Sequence, residues 1–133
     1  MQEKHLFEYA VIRVVPMVER EEFLNVGIIL YSKQTKFLEC MYSLDEDRLK
    51  AFNNTIDIIE IEKHLQSFER ICKGSKGSGP IGLLDIASRF RWLTATRSTV
   101  VQTSKVHSGF CTDLQQALKN LHTQLVLKPI INN

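Results

Sequence analysis

Cysteine is scarce in this chain, and what there is does not form a pattern. The three residues are Cys40, Cys72 and Cys111, and no two are spaced as C-x-x-C. An odd number without that spacing argues against a disulfide framework and for a reduced compartment, so the expected location is cytoplasmic. All three are expected to be small buried apolar side chains. No secretory leader is expected either. Met1-Gln2-Glu3-Lys4-His5 runs directly into a strand-like segment, without a basic start, an apolar stretch or a small-residue cleavage site. No apolar run is long enough to span a bilayer, so no membrane role is expected. There is no low-complexity tail and no repeat of solenoid period.

The usual signatures of catalysis are absent too. Gly74 to Gly79 matches the first half of a phosphate loop, but Pro80 and Ile81 stand where Lys and Ser or Thr are needed. Nothing there reaches a terminal phosphate or magnesium. His107 and Cys111 are four apart with Gly109 between them, and no second pair accompanies them. Zinc needs three or four converging ligands, and His5, His64 and His122 lie in unrelated segments, so no metal site is expected. No G-x-S-x-G elbow and no H-E-x-x-H occur. No cofactor is implied, and whether the protein is an enzyme is left open.

What is present fits one ordinary domain over residues 1–133. The chain is 44% hydrophobic and 24% charged. A domain of this length buries a core without metal or disulfide staples. The net charge of +2 conceals an asymmetry: residues 1–72 carry 9 Lys/Arg against 13 Asp/Glu, and residues 73–133 carry 8 against 2. Either the two halves attract each other within the fold, or the basic half faces an anionic partner.

Phe7 to Val15, Phe23 to Tyr31 and Phe37 to Tyr42 read as strands, rich in β-branched and aromatic residues. Pro16 ends the first, and Ser32-Lys33-Gln34-Thr35 is a short turn between the second and third. Short connections favour an antiparallel meander. Ser43 with Glu46 has the form of a capping box for a helix from Leu44 to about Phe52. Asp57 with Glu60 begins a second helix, whose stripe is Ile58, Ile61, Leu65, Phe68 and Ile71 or Cys72, and Gly74 stops it. A flexible Gly/Ser/Lys loop at 73–80 follows. Leu83, Ile86, Phe90 and Leu93 predict a third helix, Arg97 to Val106 a fourth strand, and Thr112 caps a last helix with Leu114, Ala117, Leu118, Leu121 and Leu125 inside. The expected class is α+β, an antiparallel β-meander of three N-terminal strands plus one later strand, with about four helices mainly on one face.

Alternation along the first two strands sorts their side chains. Ala10, Ile12 and Val14 face one way, and Tyr9, Val11, Arg13 and Val15 the other. In the second strand Leu24, Val26, Ile28 and Leu30 face one way, and Phe23, Asn25, Gly27, Ile29 and Tyr31 the other. Each strand thus has an aliphatic face and a mixed one. Arg13 and Asn25 sit on the mixed face among aromatics. Either Arg13 pairs with Glu19, Glu21, Glu22 or Glu39 and pins the hairpin, or Arg13 and Asn25 hold an anion or a peptide carbonyl. Gly27 in mid-strand marks a bulge or a close backbone approach. In the basic half, Arg89, Arg91 and Arg97 lie beside Phe90 and Trp92, a composition that holds phosphate and stacks bases. A pI of about 8.5 weighs against a dedicated nucleic-acid binder.

Three stretches carry a resemblance. They are Y-A-V-I-R-V-V-P-M-V-E-R-E-E-F-L-N-V-G-I-I-L-Y from Tyr9 to Tyr31, R-F-R-W-L-T-A-T-R-S-T-V-V-Q-T-S from Arg89 to Ser104, and V-H-S-G from Val106 to Gly109. Together they resemble a bacterial family catalogued as domain of unknown function 3037. The resemblance implies a small standalone bacterial protein and no particular activity. It also implies a partner, since such proteins look like gene neighbours of HipA-like kinase proteins. The family pattern places Arg13, Glu19, Glu22, Asn25, Gly27, Arg97, Ser98, Gln102 and His107 in its motifs. All of these except Gly27 are the candidate binding residues. The leading expectation is a protein-interaction module. The alternative is an enzyme or binding protein for a phosphorylated or nucleic-acid ligand, acting through Arg89, Arg91, Arg97 and His107. No feature sets the oligomeric state.

Overall fold

A computed structural model describes residues 3–129. Met1, Gln2 and residues 130–133, which belong to the expected domain, lie outside the described residues. The elements are β1 (His5–Val14), β2 (Leu24–Ser32), β3 (Phe37–Tyr42), α1 (Glu46–Phe52), α2 (Ile58–Lys73), α3 (Ile86–Leu93), β4 (Val101–Thr103), β5 (His107–Cys111) and α4 (Leu114–Leu125). The fold is α+β, as expected. The sheet is antiparallel in the order β3-β2-β1-β4, and β5 pairs with β1 on the same side as β4.

Of the expected fourth strand, Arg97 to Val106, only Val101–Thr103 is strand, and after a break β5 follows as an additional strand. The break has a local cause. At Ser104 the hydroxyl takes over as acceptor for the Val11 N–H at 2.8 Å, while the Ser104 N–H donates to the Val11 carbonyl. A side chain that bonds backbone in this way interrupts the ladder. His107 and Gly109 lie in β5.

The helix starts are set by aspartates. Asp45 caps α1 by accepting from the Arg48 N–H, so the Ser43 capping box does not form. The Ser43 N–H still donates to the Val26 carbonyl and extends the sheet, which moves the helix start past it. Asp57 caps α2 as expected, and Gly74 ends it at φ 64°. Asp85 caps α3, so the helix begins at Ile86, and Leu83 lies before it in a 3-10 turn, exposed rather than on the apolar stripe. Asp113, not Thr112, caps α4.

Both faces of the sheet are covered. Ala10, Ile12 and Val14 of β1 pack with Leu49 of α1, with Ile61, Leu65, Phe68 and Cys72 of α2, and with Phe90 and Leu93 of α3. Phe7 and Val11 pack on the opposite face with Leu114 and Leu118 of α4 and with Val126. Three helices thus share one face and α4 takes the other. His122 replaces Leu125 on the inner face of α4, and Leu125 is partly exposed.

Strict alternation fails in β2. Opposite Ile12–Arg13 the register jumps from Gly27 to Asn25, leaving Val26 as the extra residue of a β-bulge. Val26, Ile29 and Tyr31 consequently join the core under α1–α3, while Ile28 and Leu30 join the core under α4. Val26 and Ile28, expected on one face, lie on opposite ones.

Candidate functional site

The bulge is what builds the candidate site. A Cβ at Gly27 would stand 2.7 Å from the Met41 carbonyl oxygen and 2.8 Å from Tyr42 Cβ, so only glycine fits there. With Val26 looped out, Asn25 falls opposite Arg13. On the other side of β1, Gln102 of β4 is opposite the same arginine. Residues directly opposite on neighbouring strands share a face, so Asn25, Arg13 and Gln102 form one row across three strands. The row lies on the α4 side of the sheet.

Two of the three are already engaged. Asn25 Nδ2 donates to the Leu125 carbonyl at 3.0 Å, and Gln102 Nε2 donates to the Thr99 carbonyl at 2.8 Å. The first bond satisfies a carbonyl at the C-terminal end of α4, where helices leave acceptors free. Arg48 does the same for the Val126 carbonyl at 2.9 Å. The small pocket beside Asn25, Ser43 and Arg48 measures about 50 Å³, enough for water rather than for an organic ligand.

Arg13 differs. Its guanidinium carbon lies 4.1 Å from the centre of the Phe23 ring, a cation–π stack. The side chain is half-buried, its Nε is buried without a partner, and it makes no ion pair with any described residue. The glutamates expected to answer it do not. Glu22 pairs with Arg20, which holds its carboxyl below the usual range. Glu19 is exposed in the 3-10 turn Val18–Arg20.

The remaining candidates do not join the row. Arg97 stacks on Trp92, 4.2 Å from its ring centre, and donates to the Trp92 and Leu93 carbonyls, closing the end of α3. It stands beside Phe68 and Ile71 on the other side of the sheet. Burial lowers its pKa from the ordinary value. Ser98 is exposed in the following loop. His107 shares the face of Arg13, opposite Tyr9 with ring centres 5.3 Å apart. Tyr9 is four residues from Arg13, or roughly 13 Å along the strand.

Sequence reasoning missed one polar pair. Ser43 Oγ and His122 Nε2 are 2.8 Å apart, and burial lowers the pKa of His122. Its Nδ1 is buried without a partner. A buried lone pair is cheaper to leave empty than a buried N–H, so the proton belongs on Nε2 and is donated to Ser43. This imidazole is therefore no base toward Ser43, and the pair is a structural tie rather than a catalytic dyad. The helical spacing of His122 four residues after Leu118 was the available signal. Among the described residues no three His, Cys, Asp or Glu side chains are grouped to hold a metal ion. No described helix is long and apolar enough to cross a membrane.

Fold and surface together define a small α+β protein with a stacked, half-buried arginine on its sheet that makes no ion pair with any described residue. The chain belongs to the family described as protein of unknown function, DUF3037, whose sequence model matches residues 9–126. No curated protein and no solved structure matches the chain.

Proposed function

We propose that this protein is a bacterial, cytoplasmic interaction module that docks a protein partner on the surface around Arg13, the partner being a HipA-like kinase protein. One observation carries the reading: a half-buried guanidinium stacked on an aromatic ring, with no ion-pair partner among the described residues and a buried Nε without an acceptor there. A partner carboxylate laid against Arg13 supplies the missing acceptor and leaves Phe23 as the apolar wall. The connection between β1 and β2 adds apolar surface next in sequence. Met17 is 50% exposed and Phe23 44%, with Val18 also exposed. Arg, Met and aromatic residues are the types enriched where proteins meet, and a few of them carry most of the binding.

The alternative, a phosphorylated or nucleic-acid ligand on the basic half, has less support. Arg91 pairs with Glu8 at 2.9 Å, Arg89 donates to the Leu84 carbonyl, and Arg97 is engaged as described. The ion pairs Arg91–Glu8 and Lys128–Asp45 also join the basic half to the acidic one, which favours the intramolecular use of the charge asymmetry.

Co-expression of the tagged protein with a HipA-like kinase protein from its own genome tests the reading. The complex is expected to co-purify, and Phe23→Ala together with Arg13→Met is expected to abolish it. A kinase that fails to co-purify, or that binds the double variant equally well, removes the proposal.

A further inference from the structure

β5 is a short edge strand without the charged residues or proline that usually guard one. Among the described residues it pairs only with β1. Its sequence, His107-Ser108-Gly109-Phe110-Cys111, contains no Lys, Glu, Asp or Pro, the residues by which proteins blunt a free edge. Phe110 is 70% exposed, and its cross-strand neighbour Leu6 is 47% exposed.

The hydrogen-bonding direction of this edge can be fixed. Val11 turns both its N–H and its carbonyl toward Ser104. By alternation, His5, Phe7 and Tyr9 turn theirs toward β5, where they meet Cys111, Gly109 and His107. The N–H and carbonyl groups of Ser108 and Phe110 therefore point away from the sheet. Two copies of such an edge pair antiparallel about a two-fold axis at Gly109, with Ser108 of each copy exchanging both bonds with Phe110 of the other. The same register places Lys105 opposite Asp113 and His107 opposite Cys111. It brings the two Phe110 rings to diagonal positions, within aromatic reach. Asp113 caps α4 through one oxygen, and the other has no partner among the described residues.

We propose that the protein forms a two-fold dimer by antiparallel pairing of β5 with β5 of a second copy, in the register centred on Gly109, giving one continuous ten-stranded sheet. The occupant is a second copy because the edge is complementary to itself: Lys105 meets Asp113 and no like charges are opposed. This surface is separate from the one around Arg13. Its short length makes it a weak, reversible interface.

Sedimentation of the full chain between micromolar and millimolar concentration tests it, with a concentration-dependent monomer–dimer equilibrium expected. Ser108→Pro removes only an outward N–H, so β1–β5 pairing survives, while dimerisation weakens by about tenfold or more. Phe110→Lys has the same effect through the side chains. His107→Cys reads the register directly. With oxidised glutathione as the electron acceptor, its thiol and Cys111 of the second copy lose two protons and two electrons to form an intermolecular disulfide. Within one chain residues 107 and 111 are too far apart along the strand to bridge. A protein that stays monomeric throughout overturns the proposal. So does a dimer unaffected by Ser108→Pro and Phe110→Lys, or a folded His107→Cys variant that does not cross-link faster than wild type.

Discussion

Arg13 and Asn25 face each other across the β1–β2 pairing, and each keeps one buried atom without a partner, Nε of the arginine and Oδ1 of the asparagine. A donor and an acceptor thus stand on opposing residues without bonding each other. Asn25 is turned away by its bond to the Leu125 carbonyl, and Arg13 lies over the Phe23 ring. The row across the sheet therefore divides into a fixed part and a free part.

Arg13 is the free part, and its removal separates folding from binding. Arg13→Met keeps the apolar stem and loses no ion pair made with a described residue. Chemical denaturation should show a stability change within about 1 kcal/mol. Affinity for the partner should fall by about tenfold or more, as at an interface hot spot. A loss of several kcal/mol in stability would instead make Arg13 a folding residue.

Asn25 gives the opposite expectation. Asn25→Ala removes the donor to the Leu125 carbonyl, and the loss should be about 1 kcal/mol of stability. The effect should be local, with faster amide exchange in the last turn of α4 and little change in β1. Arg48→Met, which frees the neighbouring Val126 carbonyl, should do the same. Unchanged exchange in both variants would mean that the end of α4 is held by packing alone.

Much of this architecture is written in local pattern. The stripe Ile61, Leu65, Phe68 and Cys72 follows helical spacing, and Asp57 and Gly74 bracket it, so α2 is legible end to end. Where two caps compete within three residues, spacing does not choose: Ser43 loses to Asp45 because its own N–H is committed to the sheet. The split of β4 from β5 depends on a contact between Ser104 and Val11, far apart in sequence. The candidate site was legible in part. The sequence places Arg13 and Asn25 together, and reads Gly27 as a bulge or a close backbone approach; the structure shows the close approach at Gly27 and the extra residue at Val26. What alternation hid is that the bulge turns β2 over, so that Val26 and Ile28 serve different cores. The family pattern groups Arg97 with Arg13, yet the sheet stands between them.

The bulge itself is open to test. Gly27→Ala puts a methyl group against the Met41 carbonyl and Tyr42 Cβ, both on the neighbouring strand. Neither moves without disturbing the β2–β3 ladder. The variant should lose about 1–3 kcal/mol in urea unfolding. It should also shift the Asn25 amide resonances, because the register at Asn25 depends on the bulge. A variant as stable as wild type would show that β3 yields readily at this point.

His122 makes stability depend on pH. Its imidazole is buried in the α4 core, its Nδ1 has no partner, and burial holds its pKa below the ordinary 6.5. The unfolded chain therefore binds a proton at this residue before the folded one does, and stability rises with pH wherever that is so. The contribution is complete above pH 6.5 and is lost progressively as pH falls below it toward the folded value. Protonation would place a charge and an unpaired N–H in an apolar core. The urea midpoint of the wild type should thus be lower at about pH 5.5 than at about pH 7.5. His122→Gln keeps a donor for Ser43 but does not titrate, so its midpoint should fall less over the same interval. Equal falls in the two proteins would place the pH dependence elsewhere in the chain.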